Sequence, residues 1–107
     1  RLTDCNFTKN RVGHAGGGLF VSVGNDFLTL TSCSFSENMA GSEGGGMFVD
    51  SNNNGVTLAL CTFTKNNAVY DAGGLYVNYE NSIMVLTDCS FTGNDAGYYG
   101  GGLSAME

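Results

Sequence analysis

The stretches CNFTKN (5–10), CSFSEN (33–38), CTFTKN (61–66) and CSFTGN (89–94) return at an interval of 28 residues, with no insertion or deletion between them. So strict a period leaves few architectures open, because each repeat must be a supersecondary unit that buries its apolar face only against its neighbours. Stacked at 28, the chain resolves into columns: Leu2, Leu30, Leu58 and Leu86, then Cys5, Cys33, Cys61 and Cys89, then Phe7, Phe35, Phe63 and Phe91. An asparagine column follows (Asn10, Asn38, Asn66, Asn94), and a column of small residues (Val12, Ala40, Ala68, Ala96). Two glycine columns, at 17/45/73/101 and 18/46/74/102, precede a second apolar pair: Leu19, Met47, Leu75 and Leu103, then Val21, Val49, Val77 and Ala105.

Within each unit three short stretches alternate with period two, as strands do; in the second unit these are 28–30, 33–35 and 47–49. Asn38 and the Gly44–Gly46 run lie between them and suit positive φ at corners. The long corner reads SVGND, DSNNN or NYENS, alike in composition rather than identity. The predicted fold is all-β: a right-handed parallel β-helix of four coils (1–28, 29–56, 57–84 and 85–107), three short strands per coil, forming one repeat region over 1–107. Its hand follows from the right-handedness of parallel crossovers. A leucine-rich horseshoe shares the spacing Leu30-x-x-Cys33-x-Phe35-x-x-Asn38, but it needs a helix or compact turn where this chain reads GSEGGGMFVDSNNNG. Seventeen glycines and no proline fit a fold of continuous ladders.

Chemistry finds little purchase in the pattern. A net charge of −6 provides no basic stripe for nucleic acid, and no apolar run is long enough for a helix inserted in a membrane. Most of the acids are scattered: Asp4 and Asp88 share a column broken by Ser32 and Leu60, Glu43 and Asp71 share one with Ala15 and Tyr99, and Glu37, Asp50 and Glu80 occupy unlike positions. His14 is alone in a column that continues Ser42, Tyr70 and Tyr98. No catalytic residue, metal ligand set or cofactor is expected. The cysteines lack the paired spacing of a zinc site; they read as buried free thiols, with the pairs Cys5–Cys33 and Cys61–Cys89 as the alternative. The expected structural columns of the interior coils are Leu30, Cys33, Phe35 and Asn38, then Leu58, Cys61, Phe63 and Asn66, with the asparagines bonding up and down the stack.

The outward columns are rich in hydroxyls: Asn6, Ser34, Thr62 and Ser90 in one, Thr8, Ser36, Thr64 and Thr92 in another. Two more threonine columns are interrupted by Ala59 and Val85. Asn6-Phe7-Thr8 is the one N-glycosylation sequon, making Asn6 a candidate glycan site. Phe20, Phe48 and Tyr76 form an outward aromatic row ending at Ser104, a candidate lateral contact.

The FxxN motifs (FTKN, FSEN, FTKN, FTGN) and the GGL or GGM motifs at 17–19, 45–47, 73–75 and 101–103 resemble the repeats of chlamydial polymorphic outer membrane proteins and related surface β-helices. The resemblance covers all four units, although family members usually carry Ala where this chain has Leu or Met. It implies a secreted right-handed parallel β-helix of the pectin lyase-like kind, used in adhesion or surface architecture and often without enzymatic activity.

The pattern starts on Arg1-Leu2 in mid-stride and stops near Leu103 inside a strand, without the polar capping repeat that solenoids need. The chain is therefore expected to be a mature or excerpted piece whose ends, at Leu2 and Leu103, meet copies of itself or flanking coils. The expected function is an extracellular or cell-surface structural element, a fibre, filament or stalk that carries glycans. The alternative is a binding module with an adhesin, carbohydrate-binding or ice-binding face.

Overall fold

A 28-residue coil must turn back on itself, and the chain does so at residues held in the left-handed region. Asp4, Ser32, Leu60 and Asp88, each just before a cysteine, have φ of 54°, 52°, 55° and 51°. Lys9, Glu37, Lys65 and Gly93, each just before an asparagine, have φ of 57°, 56°, 55° and 64°. A third corner uses Gly16, Gly44, Ala72 and Gly100. The left-handed residue of the second corner is thus Glu37 rather than Asn38, and of the Gly44–Gly46 run only Gly44 takes positive φ. Gly45 and Gly46 serve close approach instead: a Cβ at Gly46 would stand 2.6 Å from the Gly74 carbonyl oxygen, and one at Gly45 2.5 Å from that of Gly73.

Leu60 is strained at its corner, because its Cβ crowds the following carbonyl oxygen in this backbone region at a cost of about 1–2 kcal/mol, with no polar side chain to offset it locally. It is also 57% exposed, so its side chain gains little from packing. Leu60→Asn, which tolerates the conformation, is expected to raise stability by roughly 0.5–1 kcal/mol, read as a higher thermal midpoint; a lower midpoint would mean that Leu60 packs.

A computed structural model describes residues 1–106; Glu107, the last residue of the expected fourth coil, lies outside the described residues. Coil 1 contains β1 (Leu2–Thr3), β2 (Asn6–Thr8), β3 (Arg11–Val12) and β4 (Leu19–Val21). Coil 2 contains β5 (Thr29–Thr31), β6 (Ser34–Ser36), β7 (Met39–Ala40) and β8 (Met47–Val49). Coil 3 contains β9 (Val56–Ala59), β10 (Thr62–Thr64), β11 (Asn67–Ala68) and β12 (Leu75–Val77). Coil 4 contains β13 (Met84–Thr87), β14 (Ser90–Thr92), β15 (Asp95–Ala96) and β16 (Leu103–Ala105).

These strands form four four-stranded sheets, β1-β5-β9-β13, β2-β6-β10-β14, β3-β7-β11-β15 and β4-β8-β12-β16. Every pairing is parallel and in the 28-residue register, as in Leu30↔Leu58, Phe35↔Phe63 and Val49↔Val77. Each coil therefore has four strands where the sequence suggests three. The additional one, Arg11–Val12 and its counterparts, is two residues long and too short to display alternation. Among the described residues there is no helix, which excludes the horseshoe.

The inward columns make one core. Leu30, Phe35, Met47, Val49, Val56, Leu58, Cys61, Phe63 and Leu75 are wholly buried. The Phe7, Phe35, Phe63 and Phe91 rings stack with centroids 4.7, 4.6 and 4.8 Å apart, the spacing of adjacent strands.

Candidate functional site

Three surfaces could do something: the interior polar ladder where it reaches the two ends, the outer faces of the sheets, and the end faces themselves. The ladder is an asparagine column. The backbone N–H and Nδ2 of Asn10 both donate to Asn38 Oδ1 at 3.0 Å. Asn38 donates likewise to Asn66 Oδ1, and Asn66 to Asn94 Oδ1. Each Nδ2 below the first also donates to the carbonyl of the phenylalanine one coil earlier: Asn38 to Phe7, Asn66 to Phe35 and Asn94 to Phe63. Asn38 and Asn66 are buried without leaving a polar atom unsatisfied.

A second asparagine column escaped the sequence reading. Asn25 N–H donates to Asn53 Oδ1 at 2.8 Å, and Asn53 N–H to Asn81 Oδ1 at 2.9 Å. Each Nδ2 folds back onto the carbonyl three residues earlier, in Ser22, Asp50 and Asn78. This column pins the long corner, and its 28-residue spacing was the signal available in SVGND, DSNNN and NYENS.

All four cysteines are free thiols. Their Sγ atoms point the same way and donate to carbonyls two residues back, Cys33 to Thr31 and Cys61 to Ala59, both at 3.4 Å. Burial pushes the Cys61 thiol above its ordinary pKa, so it stays protonated and a poor nucleophile. Among the described residues, no group of three or more His, Cys, Asp or Glu is placed to hold a metal ion.

On the outer face of β2, β6, β10 and β14 the two hydroxyl rows lie side by side. Ser34 Oγ donates to Asn6 Oδ1 at 2.7 Å, and the Thr8 and Ser36 hydroxyls are 3.2 Å apart. Asn6 is exposed there. The aromatic row is a correction: Phe20 is exposed, but Phe48 and Tyr76 are buried, at 8% and 7% exposure. Their rings stack on one another, and the chain before each glycine pair folds over them, adding Ala15 and Ala72 to a small second cluster. Only Phe20 of this row is left for a lateral contact. Among the described residues Tyr70 and Tyr98 are exposed and stack at 5.7 Å, and Phe27, Tyr79 and Tyr99 are exposed as well.

The two ends differ from the interior. Phe7, Leu2, Cys5 and Leu19 of coil 1, and Phe91, Leu86 and Cys89 of coil 4, are only partly buried, although their columns are sealed in coils 2 and 3. Leu103 is 42% exposed. Coil 1 ends in a hollow of about 280 Å³ lined by Leu2, Leu19, Phe20, Val21, Ser22, Asn25 and Leu28.

The family model described as right handed beta helix region matches residues 1–106, and the chain belongs to that family. No curated protein and no solved structure matched in the same comparisons.

Proposed function

We propose that the chain is a non-enzymatic structural element, part of an extracellular fibre, filament or surface stalk. The observation that carries this reading is the unbroken stack: four parallel sheets, the phenylalanine column and two asparagine ladders run from coil to coil in one 28-residue register, and Phe35 and Phe63 have no exposure. A stack of this kind gains coils without changing its cross-section, as a fibre or stalk requires. The resemblance to surface β-helices supports the extracellular location, and exposed Asn6 supports glycosylation there.

Sedimentation velocity across a concentration series tests this reading. The 107-residue chain is expected to form concentration-dependent assemblies. Leu103→Lys should suppress them, while Thr8→Lys, on an outer face, should leave them unchanged. A cooperative monomer at high concentration would reject the fibre. The binding module would then take its place, with the exposed, stacked Tyr70 and Tyr98 rings as a platform for a carbohydrate.

A further inference from the structure

The long corner of coil 3 carries the one Asn-Gly pair in the chain, Asn54-Gly55, directly after the ladder residue Asn53. Asparagine is a thermolabile side chain, and the ladders hold theirs fast. Asn38, Asn66 and Asn94 keep their side-chain amides in hydrogen bonds. The N–H that follows each is engaged as well: Met39 donates to Asn10 O, Asn67 to Asn38 O and Asp95 to Asn66 O. Asn52 has an unbonded side chain among the described residues, but the next N–H, that of Asn53, donates to Asn81 Oδ1 at 2.9 Å. At Asn54 neither restraint applies. Among the described residues its side-chain amide has no hydrogen-bond partner, and neither has the Gly55 N–H. Both residues are partly exposed, so solvent base reaches them. Gly55 takes a φ of 79° and has no Cβ to hinder a close approach.

We propose that Asn54 is a self-modification site, at which the Gly55 backbone nitrogen attacks the Asn54 side-chain amide and converts it to a carboxylate. Solvent base removes the Gly55 N–H proton as that nitrogen bonds to Asn54 Cγ. The Cγ–Nδ2 bond breaks, and Nδ2 takes up a proton and leaves as ammonia. Water then opens the resulting succinimide. Cleavage of the new N–Cγ bond leaves an ordinary aspartate, while cleavage of the original peptide bond leaves an isoaspartate, whose main chain runs through the side-chain carbon. Overall one water enters, one ammonia leaves and nothing is oxidised or reduced.

The column at this corner decides which product the coil can hold. Position 54 pairs with Asp26 one coil earlier and corresponds to Ser82 one coil later. An aspartate therefore fits the fold, at the cost of one like-charge neighbour in Asp26. An isoaspartate does not fit. It lengthens the main chain by a methylene between Asn53 and Val56, both without exposure, and one of them must leave its column. The bonds from Asn54 N–H to Asn25 O and from Phe27 N–H to Asn54 O are made at the same point and are lost with it. The 28-residue register thus fails first at this corner, whether or not copies of the chain assemble.

Incubation of the folded 107-residue chain at mildly alkaline pH, read by intact mass and electron-transfer fragmentation, tests the proposal. The mass gain that exchanges an amide NH2 for OH is expected at position 54, as a mixture of aspartate and isoaspartate, before any other asparagine changes. In urea the ladder asparagines should convert too. Asn54→Ser, which borrows the residue of the same column in coil 4, should abolish the gain in the folded chain. Survival of the Asn54 amide in the folded chain with loss only in urea, or earlier conversion of another asparagine, would overturn the proposal. The isoaspartate fraction, separated by chromatography, should melt below Asn54→Asp, which carries the same charge on an unaltered main chain. Equal midpoints would overturn the loss of register.

Discussion

Phe63→Ala is expected to lower the unfolding free energy by about 3–5 kcal/mol. The Phe63 ring has no exposure and lies between Phe35 and Phe91, with centroids 4.6 and 4.8 Å away. Its removal forfeits the burial of an aromatic side chain and both stacks, and it leaves a cavity in the middle of the column. The neighbouring coils cannot collapse into that cavity, because the backbone ladders on every side hold their spacing. Stability of a domain this size is only about 5–15 kcal/mol, so chemical denaturation should show a large shift of midpoint. Phe7→Ala is the informative comparison. Phe7 stacks on Phe35 alone and is half-buried, so in dilute solution its loss should be smaller. Equal, small losses at both positions would mean that the phenylalanines do not form the core.

Asn66→Asp is expected to be as damaging, for a different reason. Asn66 both accepts, from Asn38 N–H and Nδ2, and donates, to Asn94 Oδ1 and Phe35 O, while fully buried. An ionised carboxylate could still accept, but it would face two oxygens with nothing to donate. The loss at neutral pH should be about 3–5 kcal/mol. Burial and those two oxygens would raise the carboxyl's folded pKa above its unfolded value of about 3.9. Between those two pKa values the native state of the variant binds more protons than the unfolded state, so stability falls as pH rises through the window. Acidification should therefore recover part of the loss in Asn66→Asp. Asn66→Leu, with no proton to gain, should show no such recovery, and matching pH profiles would remove the ladder from the account.

The 28-residue period made the coil, its columns and every strand register legible, because each side chain in a stack meets its own counterpart one coil away. Leu30↔Leu58 and Phe35↔Phe63 pair as the columns dictate. What escaped the sequence lacked such a signature or depended on a fold-back. The strands at Arg11–Val12 and its counterparts are too short to alternate. Phe48 and Tyr76 point away from the main core, as the alternation requires, yet the glycine-led segment covers them. The Asn25, Asn53 and Asn81 column was hidden by corners whose other residues vary. The thiols were ambiguous in sequence because strand spacing permits a disulfide; the shared direction of their side chains, each Sγ on a carbonyl, leaves them free.

The account's central claim is that each coil stacks on the next in one parallel 28-residue register around a sealed core. An experimental structure of the 107-residue chain, by crystallography or NMR, tests it most directly. It should show four parallel sheets with neighbouring strands about 4.8 Å apart and Phe35 stacked on Phe63. A helix in any coil, or strands that pair antiparallel between coils, would contradict it.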